Sequence, residues 1–147
     1  MSAPSNAPSL ALQAKAEYLR RFMDFVRIGA MKADFPAARL YELDLVVEEI
    51  FLNVCHHAYP DGAPGIVVVT YWVLAPGELK VEIADQGTEF NPLAADSPDV
   101  TLDIEHRPIG GLGILLTKRL APSLTYQRRD GWNRLTFRMS TSKSQCE

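Results

Sequence analysis

A chain of 147 residues, 47% apolar and 22% charged, has the length and balance of one globular domain with a real core. Its formal net charge of −3 implies no general affinity for nucleic acid or an anionic membrane, and no stretch approaches the roughly 18 apolar residues of a membrane-crossing helix. Cys55 and Cys146 are the only cysteines; they are too few for a disulfide framework and lack metal-ligand spacing, so a reducing cytoplasm is the expected location.

The opening MSAPSNAPS is small, polar and Pro-rich and reads as a disordered lead over residues 1–9, without a charged-then-apolar targeting pattern. SLALQA alternates weakly and fits either a short edge strand or the run-in to a helix. From Lys15 to about Lys32, Tyr18, Phe22, Phe25, Val26 and Met31 recur at helical spacing. After the break at ADFP, Pro36 suits the start of a second helix that runs to about Ala58. YPDGAPG punctuates the chain, and the β-branched, aromatic IVVVTYWVLA reads as a strand. After the turn PGE, LKVEIADQG alternates as a second strand. Residues 88–110, with Pro92, Pro98 and Pro108, read as a long functional loop or lid. A helix follows from about Gly111 to Leu120, and SLTYQRR, DGWN and RLTFRMS form a closing hairpin. The expected organisation is one domain over residues 10–140 with a flexible tail at 141–147. This order predicts an α+β fold: a two-layer sandwich with helices on one face of a mixed, mostly antiparallel sheet.

Three segments carry candidate chemistry. In the second helix Leu43, Val47, Ile50 and Val54 make an apolar stripe, flanked at four-residue spacing by Glu49, Asn53 and His57, with Glu42 on the same side. A solvated helix face is the bland reading; Asn and His beside a buried stripe need partners. In ADQGTEFNP, Asp85 ends a strand and Gly87 follows. Such an Asp can accept a hydrogen bond from the N6 amine of adenine, and the glycine admits a flat ring; Asp-x-Gly is equally a common turn. Gly110, Gly111 and Gly113 precede an amphipathic helix, where bare backbone N–H groups can meet a phosphate. A hinge or tight packing contact explains them as well. They match neither the P-loop nor the dinucleotide fingerprint, which requires a glycine where Leu116 stands.

Together, EEIFLNVCHHAY, DQGTEFNP and GGLGILL, in this order, resemble the ATP-binding domain of gyrase-type ATPases, heat-shock chaperones, sensor histidine kinases and mismatch-repair ATPases. They are most similar to its stand-alone branch, the anti-sigma-factor serine/threonine kinases, over roughly residues 9–139. The resemblance implies a Bergerat-type ATP-binding fold and a kinase that uses ATP and Mg²⁺. It implies Asn53 as the Mg²⁺ ligand, Glu49 as the general base for an attacking serine hydroxyl, and Asp85, beside Gly87, as the adenine reader. Gly111 and Gly113 match phosphate-contacting lid-end glycines; Gly110 and Leu112 share their turn, and Thr136 on the last strand is expected beside adenine. His57 matches the family's histidine in a supporting role. The implied partners are an anti-sigma-factor antagonist carrying the acceptor serine, a sigma factor, and a second copy in a homodimer, with no direct nucleic acid and no membrane. Thr88, Glu89 and Asn91 depart from the family pattern, the loop is acidic with Arg107 its one nearby candidate cation, and Glu89 either weakens nucleotide binding or points to solvent. A nucleotide-sensing or protein-binding regulator without turnover stays open. So does a histidine kinase's catalytic half acting in trans, although no phosphoacceptor helix pair accompanies it.

Overall fold

The computed structural model describes residues 7–59, 65–94 and 111–141. Gly110, Arg107, Cys146 and most of the expected lid lie outside the described residues, as do positions 1–6 of the lead and 142–147 of the tail.

Strand β1, Ser9–Gln13, opens the fold, settling SLALQA as an edge strand that starts at the last residue of the expected lead. A 3-10 turn at Ala16–Tyr18 precedes helix α1, Leu19–Lys32, whose buried face carries Phe22, Val26, Gly29 and Ala30. Helix α2, Ala37–His57, begins directly after Pro36, which is extended at ψ 162° and needs no amide hydrogen there. Strands β2, Ile66–Ala75, and β3, Glu78–Asp85, form a hairpin. After a 3-10 turn at Pro92–Ala94 and the undescribed segment comes helix α3, Gly111–Leu120. Strands β4, Thr125–Arg129, and β5, Trp132–Ser140, then close the chain through Asp130 and Gly131, at φ 54° and 84°. Asp-Gly is the residue pair that such a left-handed hairpin turn favours.

The five strands form one sheet in the order β1-β2-β3-β5-β4, and each of these pairings is antiparallel. The expected two-layer α+β sandwich is present. Odd-numbered residues of the central strands (Val67, Val69, Tyr71; Leu79, Val81, Ile83; Leu135, Phe137, Met139) point into the core. They meet Phe22, Val26, Leu43, Val47, Ile50 and Phe51 from the helices, and the rings of Phe22 and Phe51 lie 4.5 Å apart. Each such large side chain contributes about 1.5–3 kcal/mol on burial. Even-numbered residues face outward, where Lys80 caps Trp72, and Arg134 lies near Trp132 and pairs with Glu82.

Two fastenings hold α2 across the sheet. At its start Arg39 donates to the Ser140 carbonyl at 3.0 and 2.7 Å and pairs with Glu42. At its end the Ala58 carbonyl accepts the Thr88 N–H at 2.7 Å. A helix locked to the turn after β3 is what brings the first and second sequence motifs into one place.

Candidate nucleotide site

The site forms where the last turns of α2 pass over the ends of β3 and β5. Asn53, Val54 and Ala58 of that helix segment, Asp85, Phe90 and Pro92 from the end of β3 and the turn beyond it, and Asn133 and Leu135 of β5 line one small open pocket. Mostly apolar walls with a few convergent polar groups are the usual make-up of a small-molecule site.

Asp85 is 5% exposed. Its Oδ1 accepts the Gly87 N–H at 2.9 Å, an Asx turn, and the Asn133 Nδ2–H at 2.9 Å. The turn reading of Asp-x-Gly is thus met through Oδ1, and among the described residues no hydrogen bond reaches Oδ2. Burial pushes the Asp85 carboxyl above its ordinary value; the Asn133 hydrogen bond, the Gly87 N–H and the Arg128 guanidinium pull the other way. Arg128 also donates to the Gly87 carbonyl at 2.8 Å. Gly87 is required by close approach: a Cβ there would overlap the Ala58 carbonyl.

On α2, Glu49 and Asn53 stand one turn apart, and the Asn53 side chain is near enough to act on the Glu49 carboxyl. Glu49 is half-buried; desolvation raises its pKa, the Asn53 side chain lowers it and neighbouring Glu48 raises it again. Toward a carboxylate, which only accepts, Asn53 can present its NH₂, and its amide oxygen is the group suited to a cation. No group of three or more His, Cys, Asp or Glu side chains able to hold a metal occurs among the described residues. The amide oxygen of Asn53 is a hard oxygen donor of the kind Mg²⁺ accepts, an ion that commonly keeps several waters and takes few protein ligands.

His57 stacks on Phe90 with ring centroids 4.6 Å apart and an interplanar angle of 21°. Burial, then His56, lowers its pKa, favouring the neutral ring. The stacking sets it against Phe90, which lines the pocket. Glu42 is taken up by Arg39, at the far end of the helix. Glu89 is exposed to solvent. Cys55, with burial pushing its thiol up to about 11, is an inert packing residue.

Gly111 and Gly113 lie in the first turn of α3, which packs against α2; Leu112 lies between them. Thr136 is not brought to the pocket. Its Cα pairs with Glu82 and Thr125 on the outward-facing parity of the sheet, whereas the pocket receives Asn133 and Leu135 from that strand. Sequence reading missed Asn133 and its partner Tyr126. Parity holds the signal: in WNRLTFRMS the inward series is Asn133, Leu135, Phe137 and Met139, and one polar residue in an apolar series calls for a partner.

Comparison with known proteins gives three findings. Residues 12–139 match the histidine kinase-like ATPase domain. The serine/threonine-protein kinase BtrW of Bordetella bronchiseptica is 33% identical over 108 residues, covering 74% of this chain and 75% of the relative; the serine-protein kinase RsbW of Bacillus cereus is 26% identical over 126 residues, covering 83% and 78%. Among solved structures, a Mycobacterium tuberculosis protein with RsbU and RsbW domains aligns with a TM-score of 0.61 at 14% identity, over 90% of this chain and 32% of that one. A blue-light activated histidine kinase of Erythrobacter litoralis aligns at 0.56 and 18% identity, over 86% of this chain and 43% of that one. At those identities the structural likeness speaks for the fold.

Proposed function

Since the chain belongs to the histidine kinase-like ATPase domain family, we propose that it is an ATP-dependent serine/threonine protein kinase that serves as an anti-sigma factor. The observation that carries this reading is the convergence of Asn53, Asp85 and Asn133 on one pocket, with Glu49 one helical turn from Asn53. The names of the two curated kinases point the same way.

In this reading Asp85 accepts a hydrogen bond from the adenine amine, beside Gly87. The backbone N–H groups that a helix start leaves without intrahelical partners, from Gly111 to Gly113, receive phosphate oxygens, and Gly110 precedes them in the sequence. Asn53 gives its amide oxygen to Mg²⁺, which supplies neutralisation of phosphate charge. Glu49 takes the proton of the acceptor hydroxyl; its raised pKa brings it nearer to the pH at which a base works efficiently. Phosphoryl transfer asks for positioning and charge stabilisation more than for covalent chemistry, so this short set suffices. The protein substrate is an anti-sigma-factor antagonist carrying a serine, and release from it returns the kinase to its sigma factor. A homodimer in the cytoplasm is the proposed working form. Among the described residues no helix is long and apolar enough to cross a membrane.

The test combines calorimetric titration with ATP, with and without Mg²⁺, and transfer of labelled phosphate to a serine-bearing antagonist. Mg-dependent binding and acid-stable phosphoserine are expected. Asn53→Ala abolishes Mg-dependent binding, and Glu49→Ala binds ATP but loses transfer by about 10²-fold or more. Binding without transfer in the parent protein would make it a nucleotide-sensing regulator; no binding at millimolar ATP would remove the nucleotide site altogether.

A further inference from the structure

Asn133 is 4% exposed, and every hydrogen-bonding position of its side chain is used. Nδ2 donates to Asp85 Oδ1 and to the Thr88 carbonyl, both at 2.9 Å. Oδ1 accepts the Tyr126 hydroxyl at 2.6 Å and the Phe90 N–H at 3.4 Å. The orientation of this amide is forced. Flipped, it would set an oxygen against a carboxylate and a carbonyl, and an NH₂ against the Phe90 N–H. Tyr126 reinforces the choice: burial, with the nearby charge of Glu89, raises its pKa, so its hydroxyl stays a donor.

We propose that Asn133, locked by Tyr126, is a positioning residue that sets the base specificity of the site by holding Asp85 as an acceptor with Oδ2 left for the base. The inference rests on the nucleotide reading above and names the residue pair that enforces it. Two N–H groups, from Gly87 and Asn133, occupy Oδ1 and favour the ionised carboxyl. An ionised Oδ2 attracts a ring carrying an amine at the six position and repels one carrying a carbonyl there. The same amide clamps Thr88 and Phe90, so the turn that lines the pocket is held to the sheet. Tyr126 and Asn133 come from opposite strands of the closing hairpin, which makes the β4–β5 register part of the selection.

The experiment compares ATP with ITP, whose base replaces the six-amine and bare N1 of adenine with a carbonyl and an N1–H. Affinities are measured by competition titration against one fluorescent adenine nucleotide, for the parent, Asn133→Asp and Tyr126→Phe. In Asn133→Asp two carboxyls must share a proton, so Asp85 no longer faces the base as a plain acceptor. The ATP-over-ITP ratio is expected to fall roughly tenfold or more, the scale of one charge-assisted hydrogen bond. Tyr126→Phe removes one of the two hydrogen bonds to the amide oxygen, so Asn133 is held less firmly against Asp85 while the core stays intact, and the ratio is expected to fall by about threefold. A role confined to stability would lower both affinities together and leave the ratio unchanged. That result, in variants that still bind ATP and keep a cooperative thermal transition, overturns the assignment. If Asn133→Asp does not fold, Tyr126→Phe decides alone. A parent protein that binds neither nucleotide overturns the nucleotide reading itself, and this inference with it.

Discussion

Asp85 is kept where its own charge is unwelcome. The desolvated carboxyl sits above its ordinary value even with two N–H donors and Arg128 beside it. Such a group contributes stability that is complete below the ordinary aspartate value and is lost as the pH rises through the raised one. At neutral pH the ligand-free protein therefore carries a destabilising charge that a bound amine would partly compensate. Asp85→Asn keeps the acceptor oxygen for Gly87 and Asn133 and removes that charge. We expect its ligand-free thermal midpoint at pH 7 to rise by about 3 °C, equivalent to ~1 kcal/mol, with the gain shrinking as the pH is lowered. Adenine nucleotide affinity should drop by at least about tenfold in the same variant. Calorimetric scans at several pH values check the first half and titration checks the second; a midpoint that falls at pH 7 would contradict the argument. Stability and ligand recognition pull in opposite directions at this one residue, as is common at functional sites.

At the scale of elements, α2 organises the site. Its apolar stripe, the Glu49–Asn53–His57 spacing and the Pro36 start were all legible, because each is a local pattern with helical period. The turn at Asp85 and Gly87 was legible too, since an Asx turn is written in adjacent residues. Asn133 was not, because its importance comes from the Asp85–Asn133 pairing, which joins residues 48 positions apart. DGWN read as a turn and hid the asparagine at its edge. Thr136 was expected near adenine by resemblance, while the alternation of its own strand turns it outward. The helix also explains a steric demand that no periodicity reveals. Gly87→Ala drives a methyl into the Ala58 carbonyl, which is backbone and cannot step aside by changing rotamer. The expected loss is about 3 kcal/mol, toward the upper end of overpacking effects, with broken Mg-ATP binding. The midpoint of urea unfolding measures it; an unchanged midpoint would mean that the end of α2 yields easily.

Across the whole molecule, the two-layer order of the elements fixed the architecture in advance: hydrophobic parity and helix period agree on which face each strand covers. What remained illegible was the placement of one layer on the other, set by Arg39 at one end of α2 and by Ala58 at the other. A ligand that binds only the folded form adds to the stability of this entire assembly. At a concentration of about 100 times its Kd, Mg-ATP should add ~2.7 kcal/mol, a rise of roughly 8 °C in the thermal midpoint. Substituting Lys80 on the outward face of the sheet should leave that rise intact. Thermal scans with and without nucleotide test both statements. The contact between Gly87 and Ala58 finally bears on how such a site can be moved or remade. Residues 85–90 look portable, a short turn with a recognisable motif, but their shape is moulded on the last carbonyl of a helix that begins twenty-one positions before it. The smallest transplantable unit is the turn together with α2 and the closing hairpin. A designer who grafts the motif alone carries away the letters of the site and leaves its mould behind.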